Sequence, residues 1–318
     1  ALSLATQVIR HLRLESQIAA TPSQLSVVQQ KKAKMTPPRL LRCAEKQLDL
    51  QHPQVMGVLN ITPDSFSDGG NLFDDAQIPL DKILTNAQRM IDEGAQVLDI
   101  GGESSRPGAQ AITVAEEIRR VLPVVEALKQ LDCIISVDTR NGETAKATID
   151  AGAHMINDIS AGSDASVMTA VANSDVAYAL MHMQGLPGTM QDNPCYEEVV
   201  IEVMQFLRLR YQSCLKQGIA AERMLVDPGF GFGKSLLHNL QLLAHIEALR
   251  IDGCPILVGI SRKSMLGQIT GRDVGDRLAA SVAASVLAVQ NGANIVRAHD
   301  VKETVDGLKV WSSLTAVN

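Results

Sequence analysis

Aromatic residues are scarce: Phe, Tyr and Trp make up 3% of the 318 residues, and Trp311 is the only tryptophan. A core must therefore be assembled from Ala, Val, Ile and Leu. Cysteine is equally thin. Cys43, Cys133, Cys195, Cys214 and Cys254 are odd in number, scattered and free of CxxC spacing, which excludes a disulfide framework and a thiolate zinc site and points to reduced thiols in a cytoplasmic compartment. No apolar run approaches the ~20 residues that span a bilayer; the longest, residues 278–289, is rich in Ala and broken by Ser. A formal net charge of -6 leaves no broad basic footprint, so neither nucleic acid nor membrane is expected as a partner. The histidines, His52, His154, His182, His238, His245 and His299 with His11, form no HxH or HxxxH pair. A transition metal held by the protein alone is not expected.

What is present is globular. Hydrophobic residues make up 46% of the chain and charged ones 20%, enough for a sizeable core. The length exceeds the ~150 residues of an average domain, but α/β barrels commonly reach ~250 residues as one unit. Residues 1–34 stand apart, with Arg10, Arg13, Lys31, Lys32 and Lys34 against one acid, Glu15. They read as non-native or dispensable, with Met35 as a start, rather than as an acid-poor targeting peptide. The expected division is an N-terminal extension over 1–50 and a barrel over 51–318.

From Val55 the chain alternates short β-branched runs with longer stretches of helical periodicity. Strands are expected at 55–60, 97–101, 134–138, 155–159, 176–181, 224–227, 256–260 and 295–297. Helices are expected at 114–130, where Val114, Ile118, Val121, Val125 and Leu128 recur at three- or four-residue spacing, and at 197–217. One device repeats: Gly94, Gly152 and Gly292 each sit just past a helix end, where a left-handed cap needs no Cβ. Eight strands with crossover helices and no antiparallel hairpin signal admit a closed barrel or an open doubly wound sheet. No GxGxxG follows the first strand, so the expected fold is α/β, a (β/α)8 TIM barrel.

In such a barrel the chemistry lies at the C-terminal strand ends. These converge. The first four carry Asn60, Asp99 with residues 101–108, Asp138, and Asn157 with Asp158, a polar and acidic half. The last four carry His182, Asp227 with residues 228–234, Ser261 to Ser264 including Arg262 and Lys263, and Arg297 with His299, a basic half. Alternation along a strand points Arg297 and His299 the same way, and likewise Asp99 and Gly101. Asp138 and Asp227 can share a pocket only if the barrel closes. Residues 229–235 imitate a phosphate loop, but GxxxxGKS spacing would need glycine at Pro228.

The segments MGVLNITPDSFSDGG at 56–70, GGESSRPGA at 101–109, SVDT at 136–139, INDI at 156–159, DPGFGFGK at 227–234, GISRKS at 259–264 and RAHDVKET at 297–304 resemble the dihydropteroate synthases over residues 55–311. The resemblance implies condensation of (7,8-dihydropterin-6-yl)methyl diphosphate with 4-aminobenzoate, giving 7,8-dihydropteroate and diphosphate in folate synthesis. It implies Asp138, Asn157, Asp227 and Lys263 as pterin ligands, and Asn60, Ser105, Arg297 and His299 as diphosphate ligands. It further implies Ser105, Arg106, Pro107, Phe232 and Ser264 at a 4-aminobenzoate pocket where sulfonamides compete, and Mg²⁺ as cofactor with Asn60 facing the metal. Asp138, Lys263 and Arg297 would carry catalysis; a homodimer is implied. Loops 62–70 and 103–109 would close over substrate. Ser105 stands where the family usually has threonine, keeping the hydroxyl and losing a methyl. The alternatives are a pterin-binding methyltransferase, which would not need NITPDSFSDGG or SRKS, and a non-catalytic pterin-binding paralogue, which would have lost the loops or the Arg297/His299 pair.

Overall fold

The strand residues alternate between two separate hydrophobic clusters, and that alternation defines the architecture. In a computed structural model describing residues 40–61, 78–103, 112–186 and 188–317, Leu98 and Ile100, Ile135 and Val137, Tyr178 and Leu180, and Val226 and Val258 join one large cluster with the helices. Met56, Val97, Ile134, Met155, Ala177, Leu225, Leu257 and Ile295 form a second cluster. Side chains one residue apart on a strand face opposite ways. The first set therefore packs outward on the helical shell, and the second fills the barrel. Both sides of each strand are buried, which is why these strands read as nearly unbroken apolar runs.

The strands, in chain order, are β3 (Gln54–Asn60), β4 (Val97–Gly101), β5 (Ile134–Asp138), β6 (Met155–Asp158), β7 (Ala177–Met181), β8 (Met224–Asp227), β9 (Leu257–Val258) and β10 (Ile295–Ala298). They lie in one parallel sheet in the order β8-β7-β6-β5-β4-β3-β10-β9. A parallel bridge between Val226 and Ile256 joins its two ends, so the sheet curls into a nearly closed barrel. Each expected strand is present. The seventh is shorter than expected, Leu257–Val258 with Ile256 as a single bridge beside it. The described helices are α1 (Leu80–Asp92), α2 (Val114–Leu128), α3 (Gly142–Ala151), α4 (Ala165–Ala172), α5 (Val199–Lys216), α6 (Leu236–Ala244), α7 (Ser264–Thr270), α8 (Leu278–Gln290) and α9 (Val301–Thr315). The glycine device works as expected: Gly94, Gly152 and Gly292 have φ of 106°, 108° and 112°.

An antiparallel hairpin precedes the barrel, contrary to the expectation of no hairpin signal. Strands β1 (Leu40–Cys43) and β2 (Lys46–Asp49) pair with Cys43 opposite Lys46, leaving a two-residue turn at Ala44 and Glu45. Such turns usually advertise themselves with Asn-Gly or Asp-Gly, but here Ala44 takes the positive φ, 54°. Tertiary contacts hold it instead. Ala44 N donates to Asp175 O at 2.9 Å, Lys46 Nζ to Cys133 O at 2.6 Å, and Arg42 pairs with Asp175 at 2.7 Å. His154 Nδ1 accepts the Ile135 N–H, so its Nε2 carries the proton and meets Glu45 at 3.0 Å. Leu41, Cys43, Leu48 and Leu50 join the barrel-filling cluster, so the hairpin plugs the end of the barrel away from the strand C-termini. The described residues all belong to one compact unit. Among the described residues, no helix is long and apolar enough to cross a membrane.

Candidate active site

Above the apolar filling lies a polar layer. Strand register places Asp99 beside Ser136, and Asn157 follows Met155 on the same face of β6. Asp99, fully buried, is the hub. Its Oδ1 accepts from Ser136 Oγ at 2.6 Å; its Oδ2 accepts from Arg297 Nε at 2.6 Å and Asn157 Nδ2 at 3.0 Å. The same guanidinium reaches Asp138 Oδ2 through Nη2 at 3.1 Å. One arginine thus ties the ends of β10, β4 and β5 across the barrel.

Three groups are left facing the mouth with capacity to spare. Asn157 Oδ1 is buried and has no hydrogen-bond partner among the described residues. Asp227 accepts the Gly229 N–H at 2.7 Å through one oxygen. Lys263 Nζ donates to Phe230 O and lies 4.5 Å from the centre of the Phe232 ring, within cation–π range. Asn60, half-buried at the end of β3, stands in register with Gly101, which in turn pairs with Asp138. His299 is anchored to Ser261, whose Oγ lies 3.2 Å from the His299 N and 3.1 Å from its Nδ1.

Electrostatics follow burial. Desolvation pushes Asp138 up to about 7, although the Arg297 charge works the other way. It raises Asp227 against the pull of Lys263. It lowers Lys263 to about 8, opposed by Asp227. Burial also disfavours the charge on Arg297, but Asp99 and Asp138 outweigh it and hold the guanidinium protonated. Alternating charges of opposite sign, each short of solvent, make a site that exchanges partners readily when a polar ligand enters.

The barrel brings together Asp138, Asn157, Asp227, Lys263 and Arg297, with Asn60 and His299 at the rim. Phe232 joins them through Lys263. Ser264 is exposed at the start of α7. Ser105, Arg106 and Pro107, with most of the two expected loops and residues 1–34, lie outside the described residues. Asp99 was expected at a strand end on the face that carries Gly101 but without a ligand role, and Ser136 was missed; the signal for the hub was an acid inside an otherwise apolar strand, VLDIG. The expectation of a basic second half needs correction at His182. Burial and the neighbouring Lys234 lower His182 to about 3, so it is neutral and adds no positive charge.

Fold and site define a (β/α)8 enzyme with a buried carboxylate, carboxamide and lysine cluster suited to a heterocycle rich in N–H groups. Residues 56–299 match the family model described as "Pterin binding enzyme". Dihydropteroate synthase of Escherichia coli K12 is 48% identical over 266 residues, 83% of this chain and 92% of that protein. Two solved structures superpose closely. Burkholderia cenocepacia dihydropteroate synthase complexed with 7,8-dihydropteroate has a TM-score of 0.80 at 45% identity, covering 88% of this chain and 98% of that one. The Xanthomonas albilineans enzyme with 4-aminobenzoic acid has a TM-score of 0.81 at 46% identity, covering 88% and 99%. The chain belongs to the dihydropteroate synthase family.

Proposed function

We propose that this enzyme joins (7,8-dihydropterin-6-yl)methyl diphosphate to 4-aminobenzoate, releasing diphosphate and forming 7,8-dihydropteroate. The observation that carries the reading is the unpartnered, buried Asn157 oxygen set among Asp138, Asp227 and Lys263. A buried acceptor without a donor costs about 1–3 kcal/mol. A pterin edge, with ring and exocyclic N–H groups beside a carbonyl, supplies donors to Asn157 and the carboxylates and an acceptor for Lys263.

Arg297 and His299 would receive the diphosphate. Arg297 spends Nε and Nη2 on Asp99 and Asp138, and its Nη1 has no hydrogen-bond partner among the described residues. That edge suits a charge-assisted bond to a phosphate oxygen. In the reaction the methylene C–O bond breaks first and the electron pair leaves with diphosphate. The amine lone pair then forms the C–N bond, and the nitrogen releases its extra proton to solvent. An arylamine is already neutral near pH 7, so positioning and electrostatics carry the rate. Asp138, close to the polar rim, would stabilise the cationic methylene. Lys263 and Phe232 would bound the 4-aminobenzoate side together with Ser264, Ser105, Arg106 and Pro107, and sulfonamides would compete there.

A Mg²⁺ ion fits Asn60 as a hard oxygen donor at the rim. Among the described residues no cluster of three or more His, Cys, Asp or Glu side chains could cage a metal, which suits an ion taking most ligands from water and substrate phosphate. When bound, it would neutralise charge on the departing diphosphate. A homodimer is supported by apolar residues left exposed on two adjacent helices, Leu278 and Leu287 on α8 and Val310 and Leu314 on α9. A reducing cytoplasmic setting suits the free cysteines. The test is diphosphate release from the pterin diphosphate with Mg²⁺, with and without 4-aminobenzoate. Release that does not depend on the amine would refute the synthase reading.

A further inference from the structure

Lys234 closes the segment that imitates a phosphate loop, yet its amine faces inward and is almost fully buried, with 3% of the residue exposed, and that burial lowers its pKa well below the usual lysine value. Its Nζ lies within hydrogen-bond distance of Gly229 O at 2.9 Å, Phe232 O at 3.0 Å, His182 Nδ1 at 2.9 Å and, longer, His182 O at 3.4 Å. A neutral His182 with its proton on Nε2 can accept at Nδ1, in keeping with its lowered pKa. The other carbonyls of the loop are held as well. Phe230 O accepts from Lys263, Gly231 O from Gln191 Nε2 at 2.5 Å, and Gly233 O from Tyr196 Oη at 2.8 Å. Gly229, Gly231 and Gly233 all have positive φ, and a Cβ on Gly229 or Gly233 would run into the backbone oxygen of His182 or Gln184. The loop therefore lies directly on the chain leaving β7, clamped around one buried lysine amine.

We propose that Lys234 is a positioning residue: by gripping the carbonyls of Gly229 and Phe232 against His182, it sets the Phe232 ring and the Phe230 carbonyl that together locate the Lys263 ammonium. It touches no substrate. Its reach into the reaction runs through the amine side, because Phe232 and Lys263 wall the pocket assigned above to 4-aminobenzoate; the inference rests on that assignment. The pterin edge hangs from Asp138, Asn157, Asp227 and Lys263, of which Asp138 and Asn157 stand on β5 and β6 away from this loop, so its binding should depend on Lys234 less than that of the amine, whose Phe232 wall the loop itself carries.

The test compares wild type with Lys234→Met, which keeps the length and removes the donors. The KM for 4-aminobenzoate should rise about tenfold or more, while that for the pterin diphosphate stays within about threefold. A parallel rise in both constants, or no rise in either, would overturn the proposal and leave Lys234 a purely structural lysine. If Lys234→Met does not fold, His182→Phe removes the one side-chain acceptor and keeps a ring; it should raise the amine KM selectively by about threefold, and an unchanged ratio of the two constants overturns the idea. Amide hydrogen exchange separates this from failure of the functional reading. Protection at Gly231 and Phe232 should fall in the variant whether or not wild type releases diphosphate, and unchanged protection refutes the clamp on its own.

Discussion

Arg297 on β10 reaches past the intervening β3 to Asp99 on β4, Nε to Oδ2 at 2.6 Å, with the carboxylate fully buried. The pair organises the site twice over. It turns the guanidinium edge not used by Asp99 and Asp138 towards the mouth, and through the shared oxygen it directs the Asn157 carboxamide so that its Oδ1 is left free for a ligand.

Removing one partner of that pair should be severe. Asp99→Ala leaves Arg297, Ser136 and Asn157 without their common acceptor, and breaking a buried pair costs about 3–5 kcal/mol. Urea unfolding should show that loss, together with a fall in kcat/KM of at least about a hundredfold. Stability within ~1 kcal/mol of wild type would mean the pair carries less than its burial implies.

Asp227→Asn keeps the volume and replaces an acceptor-only carboxylate by a group that is half donor. With one oxygen already spent on Gly229, the pterin N–H groups lose a matched partner, and affinity for the pterin diphosphate should drop about tenfold or more. Calorimetry on the substrate-free enzyme reads this directly, and unchanged affinity would remove Asp227 from the pterin site.

The pH profile of kcat/KM should be narrow. Asp138 must be ionised to stabilise a cation, and since its pKa is raised to about 7, activity should climb as pH rises to that value. Lys263 must stay protonated to donate, and since its pKa is lowered to about 8, activity should fall as pH passes it. Lys263→Arg should move the alkaline limb upward, because a guanidinium stays charged there. An alkaline limb at the same pH in that variant would assign it to another group.

The hairpin should matter to stability alone. Leu41 is fully buried in the plug at the end of the barrel opposite the site, so Leu41→Ala should cost about 2–5 kcal/mol and leave both KM values unchanged at a temperature where the variant is folded. A change in substrate binding would show that the plug and the mouth are coupled.

Much of the fold was legible because its devices are local. The short apolar strand runs, the helical spacing of Val114 to Leu128 and the glycines at 94, 152 and 292 each follow from chain-local rules of dihedral angle and burial. The hairpin was hidden because Ala44 occupies a position whose usual residues would have marked it, and its support comes from Asp175, Cys133 and His154, more than 85 residues away in each case. By itself the sequence determined which side chains stand at the strand ends, since strand length and alternation are local properties. Only the closed barrel decided what those side chains do. It set Asp99 against Arg297, 198 residues apart, and turned Lys234 inward onto its own loop. It also rendered His182 neutral, because pKa and pairing depend on neighbours and solvent that chain order does not specify.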